Sequence, residues 1–408
     1  MNDPAVLVVG AGPAGLTAAL ELAAAHVGGV LVVDREGEPG GVPRHCGHTG
    51  FGLQDLHRSV TGPRYARHLA DRAQRTGATL RLATTVTDLG ADGTVGLAGP
   101  GGIERLRPRA VVLATGARER PRAARLVPGD RPAGVLTTGQ LQQWVAAGLP
   151  VGRRAVVVGA EHVAYSAVLT LRHAGVATVA MVTALPRHQT LPAFALATRL
   201  GLRVPLRSSS RVAGLHGHGR LEAVEVEDLL TRAVERVAAD TVVFTGDWVP
   251  DHDLARRSGL AVAPSTLGPV TDGWGRTSCA GVVAAGNLVH PGETAGRAAL
   301  GGRAAARRLA DDLRAGAGVP AVRGVPLRVA APLASVVPTV VDPADPPPDL
   351  LLRTAAFGAR RTVVARQDGR ELGRQGLRHA VPGRSLRVRG SLVAGADPAG
   401  GGVELSLG

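Results

Sequence analysis

The chain has 408 residues, enough for two or three domains that each bury a core. A hydrophobic fraction of 45% and a mean hydropathy of +0.11 exclude a disordered chain. The formal net charge of +14 comes from 47 scattered arginines with no lysine, and aromatic residues are only 2%, too few to stack nucleic-acid bases, so nucleic-acid binding is not expected; such a surface suits an acidic electron-transfer partner or substrate.

The N-terminus, MNDPAVLVVGAGPAGL, lacks the basic start of a signal peptide, and no apolar run approaches the length of a membrane span. A cytoplasmic location is the default expectation. Ala5–Val9 reads as a buried strand and is followed by Gly10-Ala11-Gly12-Pro13-Ala14-Gly15 and a helical run. A second strand ends at Asp34, 19 residues beyond Gly15. This strand–turn–helix–strand context gives the glycine spacing its meaning as a dinucleotide fingerprint. Gly10 allows the tight turn, Gly12 lets backbone approach a diphosphate, and Gly15 lets helix and strand pack. Free N–H groups at the helix start favour the anion, and Asp34 would accept hydrogen bonds from a ribose.

Residues 40–52 read GGVPRHCGHTGFG, with His45 and His48 flanking Cys46. The stretch reads either as a loop lining a pocket or as a site where a histidine or Cys46 moves protons or contacts substrate. Zinc would need four ligands; even with His57 added, neighbouring His45 and Cys46 rarely both ligate, so no metal is expected. Cys46 and Cys279 are the two cysteines of the chain, too few for a disulfide framework or an iron–sulfur cluster.

A buried strand runs into Thr115-Gly116 within AVVLATGARERPR. A second fingerprint begins at Gly159 in VVVGAEHVAYS, 149 residues after Gly10, but Glu161 stands where its second glycine belongs. A carboxylate there would face a diphosphate and block backbone approach, and the next strand ends in Val182-Thr183-Ala184 without a ribose partner. Arg187 and His188 could meet a 2′-phosphate, so NAD(P) stays a doubtful second cofactor; the other reading is a fold kept for packing or partner contact. VVFTGDWVPD and then a strand over Gly281–Ala285, a turn at Gly286-Asn287 and a helix from about Gly292 to Leu313 follow. His290 follows the turn at Gly286-Asn287, and Asp247, Trp248 and Asp251-His252-Asp253 read as a polar turn or a substrate contact. Beyond Gly316 come clustered prolines and short β-rich runs, with a hairpin at Asp368-Gly369. No chemistry is evident there, and a lid or a contact between subunits is the expectation.

VVGAGPAG with Asp34, LATGARERP, and TSCAGVVAAGN before a helix resemble, in this order, the two-dinucleotide-domain flavoproteins of the pyridine nucleotide-disulphide oxidoreductase superfamily. The resemblance implies an α/β fold with two Rossmann-like, three-layer ββα domains, the second inserted in the first. It implies an FAD-binding domain at 1–121 and 246–316, a degenerate NAD(P)-binding-like domain at 122–245, and a small β-rich domain at 325–408. It assigns FAD contacts to Gly10, Gly12, Pro13, Ala14, Gly15, Asp34, Arg35, Gly41, Thr115, Gly116, Gly286 and Asn287. Asn287 stands where the family usually has aspartate, and the resemblance places the segment that carries His290 near the cofactor. The family's CxxxxC pair is missing, and the chain is therefore expected not to be a disulphide reductase. Cys46-Gly47-His48-Thr49-Gly50-Phe51-Gly52 also looks like a loop of flavoproteins associated with glycerol-3-phosphate dehydrogenases. Cys46, His48 and His45 are the catalytic candidates.

The implied activity is FAD-dependent dehydrogenation of a small organic substrate, with electrons passed to a partner protein, as in multi-component dehydrogenases of amines or amino acids. An NAD(P)H-dependent reductase that feeds a partner, and a flavin-stabilised scaffold without turnover, are the alternatives. An oligomer is compatible with all three.

Overall fold

The computed structural model describes residues 3–316 and 318–408, with Ala197 described by its backbone alone. The strand Val6–Val9 has only apolar residues and buries all four, as a strand covered on both faces must. It pairs in parallel with Val30–Val33 on one side and Ala110–Leu113 on the other. Thr79–Arg81 and Val282–Ala284 complete a five-stranded parallel sheet. The last strand comes from far along the chain, so the first unit closes only after the chain has left and returned. The helices Pro13–Ala24, Gly62–Arg75 and Ala295–Arg314 share a buried core with this sheet. A three-stranded antiparallel sheet, Thr85–Leu89, Val95–Gly99 and Gly102–Leu106, adds the third layer.

The second unit repeats this plan. Leu206–Arg207, Ala177–Val182, Arg154–Val158, Thr241–Phe244 and Val135–Thr137 form a parallel sheet in that order. Ser210–His216, Ala223–Asp228 and Val234–Ala238 form its antiparallel layer. Ala117–Glu119 leads out of the first unit and pairs antiparallel with Trp248–Pro250, which leads back. The fold is α/β with two three-layer units, as the motifs imply. A β-rich C-terminal unit packs two sheets around its own apolar core. Its hairpin Gly358–Gln367 and Arg370–Ala380 turns at Asp368 and Gly369, both with φ > 0.

One boundary moves. The long helix starts at Ala295, because the Thr294 hydroxyl accepts from the Arg297 N–H as an N-cap. Glu293 therefore lies outside the helix rather than in its first turn. That helix crosses the start of Pro13–Ala24 so closely that a Cβ on Gly302 would stand 2.1 Å from the Ala14 carbonyl oxygen.

Candidate functional site

In the first unit each fingerprint glycine has its own geometric reason. A Cβ on Gly10 would fall 2.5 Å from the Ala114 carbonyl oxygen, and one on Gly15 1.8 Å from that of Gly10. Gly12 differs: nothing lies within 4 Å of its missing Cβ, so the loop is open where a diphosphate would approach. Pro13 takes the first helical position, and no side chain caps this helix start. Asp34 follows its strand; its carboxylate accepts from Ala11 N at 2.6 Å and Glu36 N at 2.8 Å. Gly40 donates to the Ala11 carbonyl at 2.7 Å, and the positive φ of Gly41 brings the chain back over Gly12. The residues present thus fit a dinucleotide here.

The crossing strands meet this loop. Thr115 Oγ1 donates to the Asp251 carbonyl at 2.8 Å, and Asp251 N donates to the Gly116 carbonyl at 2.9 Å. Asp251 also pairs with Arg35 at 3.2 Å. Gly286 sits against Ala14, where a Cβ would stand 2.6 Å from the Ala14 methyl. The Asn287 amide clamps its own loop: it donates to the Glu293 carbonyl at 3.1 Å and accepts from Glu293 N at 2.8 Å.

The His45–Cys46–His48 loop is divided by the structure. Cys46 is buried, and burial pushes its thiol up to about 12, with the Glu119 charge adding to the effect. It donates to the Val42 carbonyl at 3.5 Å. At neutral pH burial therefore favours the neutral thiol at Cys46. Burial and the neighbouring Arg44 lower His45, whose Nε2 lies 3.1 Å from an Arg44 nitrogen. His48 reaches furthest. Its Nδ1 donates to the Thr49 carbonyl at 2.8 Å, which leaves Nε2 to accept from Ser166 Oγ at 2.6 Å, on a helix of the second unit. Gln142 donates to the same hydroxyl at 3.0 Å. Among the described residues no three His, Cys, Asp or Glu side chains gather as a metal set.

Glu119, at the end of the crossing strand, lies within the LATGARERP motif, but sequence reasoning did not single it out. Burial raises its carboxyl to about 7, against the opposing N–H of Gly139 and hydroxyl of Thr138. Glu161 is half-buried in the second fingerprint, with its carboxyl turned inward. It accepts from Ala160 N at 2.9 Å and from Thr245 Oγ1 at 2.5 Å, and the loss of water around it raises its carboxyl.

A further group joins the first unit to the C-terminal one, and sequence reasoning missed two of its members, Arg353 and Ser385. His290 is buried, with Nδ1 2.9 Å from Glu293 Oε1, and among the described residues neither ring nitrogen has a hydrogen-bond partner of good geometry. Arg353 donates to Glu293 at 3.0 Å, and Ser385 also donates to it. Burial alone would raise Glu293; the close His290 ring, the Ser385 hydrogen bond and the Arg353 charge outweigh it and hold the carboxyl at about 2. The C-terminal unit thus reaches the loop after Asn287, where no chemistry was expected of it. No periodicity or spacing marks Arg353 or Ser385.

Residues 4–310 match the family model described as pyridine nucleotide-disulphide oxidoreductase. The chain is 29% identical over 315 residues to an opine oxidase subunit of Agrobacterium tumefaciens (strain Ach5), covering 69% of this chain and 60% of that protein. It is 32% identical over 282 residues to the alpha subunit of sarcosine oxidase of Corynebacterium sp. (strain P-1), covering 64% of this chain and 28% of that protein. The chain thus spans less than two thirds of these relatives. Among solved structures it resembles thioredoxin reductase from T. acidophilum, with TM-score 0.66 and 21% identity over 77% of this chain and 100% of that one. It also resembles a bacillithiol disulfide reductase from Bacillus cereus, with TM-score 0.61 and 18% identity over 76% of this chain and 99% of that one.

These likenesses correct one expectation. The exclusion of a disulphide reductase rested on the missing second thiol, yet the chain shares its fold with thioredoxin and disulfide reductases. Thiol–disulfide exchange passes through a mixed disulfide that needs only one protein sulfur, so a missing pair does not exclude the activity. No helix among the described residues is long and apolar enough to cross a membrane.

Proposed function

The chain belongs to the pyridine nucleotide-disulphide oxidoreductase family, and from that premise we propose that its first unit binds FAD, that it dehydrogenates a small substrate of the amine or amino-acid class, and that the electrons pass to a partner protein. One observation carries the cofactor: Gly10 and Gly15 pack against backbone while Gly12 opens on free space beside an uncapped helix start. The flavin, when bound, supplies the two-electron chemistry. The substrate class and the partner are supported by the names of the relatives, subunits of opine and sarcosine oxidases.

The protein's part is to orient substrate and receive its proton. His48 is the candidate base: with Nδ1–H fixed on the Thr49 carbonyl, the Nε2 lone pair faces the Ser166 hydroxyl. A substrate N–H or O–H would take the place of that hydroxyl, and Gln142 would keep Ser166 positioned.

The test is an anaerobic absorbance titration of the purified yellow protein with sarcosine, other N-substituted amino acids, simple amines and glycerol phosphates. Bleaching of the flavin band near ~450 nm by one class identifies the substrate. A band that no candidate bleaches, although dithionite does, would sink the reading. His48→Asn should slow bleaching by about 100-fold or more, with flavin content unchanged.

A further inference from the structure

Two copies of one fingerprint sit in this chain, and they differ at their second glycine. At Gly12 the space beyond the missing Cβ is open. At the matching position in the second unit the side chain of Glu161 fills that space. Its carboxyl does not point to solvent but folds back onto its own loop. One oxygen lies 2.7 Å from where a Gly159 Cβ would be, and the other 3.0 Å from where a Gly246 Cβ would be, so both glycines are needed to seat it. Ala160 N–H and the Thr245 hydroxyl serve it. Arg125 stands behind, donating to the carbonyls of Thr245 and Gly246 at 3.0 and 2.9 Å. A backbone N–H of the glycine loop, a hydroxyl and a nearby guanidinium are the kinds of group a diphosphate would use.

The mouth of this loop is also covered. Gln189 N donates to the Ala160 carbonyl at 2.9 Å, and Thr190 Oγ1 meets His162 Nδ1 at 2.6 Å, which brings the segment after the strand Ala177–Val182 over the helix start. The C-terminal unit pins that segment. Gln189 donates to the Pro382 carbonyl at 2.9 Å, and the Arg187 guanidinium lies 4.4 Å from the centre of the Phe357 ring. Arg187, the residue that could have met a 2′-phosphate, is therefore held by a ring of another unit.

We propose that the second dinucleotide site is closed to NAD(P) by the protein itself: the Glu161 carboxyl takes the place of the nucleotide diphosphate, and the C-terminal unit holds the cover over it. The residues there do not fit the nicotinamide cofactor that the family would suggest. Electrons consequently reach or leave the flavin by another route, in keeping with a partner protein. The inference stands on the second unit and the C-terminal contacts over it and is independent of which substrate the first unit oxidises.

The test uses the flavin-loaded protein, so that the first site is filled. NADH and NADPH binding is followed by nicotinamide fluorescence, and inorganic pyrophosphate binding by the rise in thermal midpoint. Wild type is expected to show no saturable binding of any of the three up to about 1 mM. Glu161→Gly should bind pyrophosphate or a dinucleotide at least about tenfold more tightly than wild type. Glu161→Gln keeps the shape and an acceptor oxygen for Ala160 N–H, and should stay closed. Saturable NAD(P)H binding by wild type overturns the proposal while leaving substrate oxidation at the flavin intact. It is equally overturned if Glu161→Gly retains its flavin and its fold yet binds neither probe better than wild type. Should Glu161→Gly fail to fold, Glu161→Ala with the same probes decides in the same way.

Discussion

A carboxyl held at about 7 inside a protein ties stability to pH, and Glu119 is such a group. Its folded value lies above the unfolded one, so the native state keeps a proton that the unfolded chain has lost. Stability therefore falls as pH rises from about 4.5 to about 7 and levels off above. Glu119→Gln should remove that fall, a gain of about 2–3 kcal/mol at pH 8 over wild type and little difference at about pH 4. Thermal midpoints of both proteins across that range measure it. Cys46 makes the complementary case. A thiol pushed up to about 12 should resist iodoacetamide at about pH 8 in the native protein and react once denaturant opens the fold. Labelling of Cys46 at the rate of a free thiol, read by peptide mass, would contradict its burial. Neither value is legible in the sequence. ARERP does not show which of its charged residues is buried, and the histidines beside Cys46 do not show that its thiol is buried.

At the level of elements, glycines set the distances. The helices Pro13–Ala24 and Ala295–Arg314 meet where Gly302 passes the Ala14 carbonyl. Gly302→Val would drive a branched side chain into backbone and push the first helix away from the fingerprint loop. The expected result is a loss of about 3 kcal/mol or more and a purified protein with little flavin, read from the ratio of visible to ultraviolet absorbance. This part of the fold is readable because its signals are local. A strand run, a glycine spacing and a helical pattern each follow from backbone geometry within a few residues. The helical pattern alone puts the start of the long helix near Gly292 rather than Ala295, because it does not show that Thr294 is the cap. Glu293, an acceptable first-turn residue, is drawn away by partners distant in sequence. His48 stands out in the sequence as a candidate, but its bond to Ser166 spans 118 residues and leaves no trace in either segment.

For the whole molecule, the ion pair of Arg353 with Glu293 and the Gln189 and Arg187 contacts tie the C-terminal unit to both dinucleotide folds. Arg353 is mostly buried, so Arg353→Met would leave Glu293 charged and short of a partner. Such a loss costs about 3–5 kcal/mol, and the thermal midpoint should fall accordingly. Adding Glu293→Gln to that variant should restore part of the loss. The pH dependence has the opposite sign to that of Glu119. Glu293 is held below its unfolded value, so its contribution is complete above about 4.5 and is lost as pH falls towards about 2. Acid should therefore loosen this junction, seen as faster proteolysis between the long helix and the C-terminal strands. The β-rich character of that unit is visible in the sequence. Its attachment is not, because contacts made across 60 residues by single side chains have no period to detect.

Asp34 has a consequence for how the protein is assembled. Two backbone N–H groups of the protein's own chain hold its carboxylate in place. A nucleotide arriving there meets an acceptor that needs no reorientation, so little ordering remains to be done at the moment of capture. Apoprotein stripped of flavin should keep its secondary structure and take the cofactor back in a single fast phase. Asp34→Ala should then slow uptake as well as weaken retention, since Ala11 and Glu36 would lose the group that fixes them.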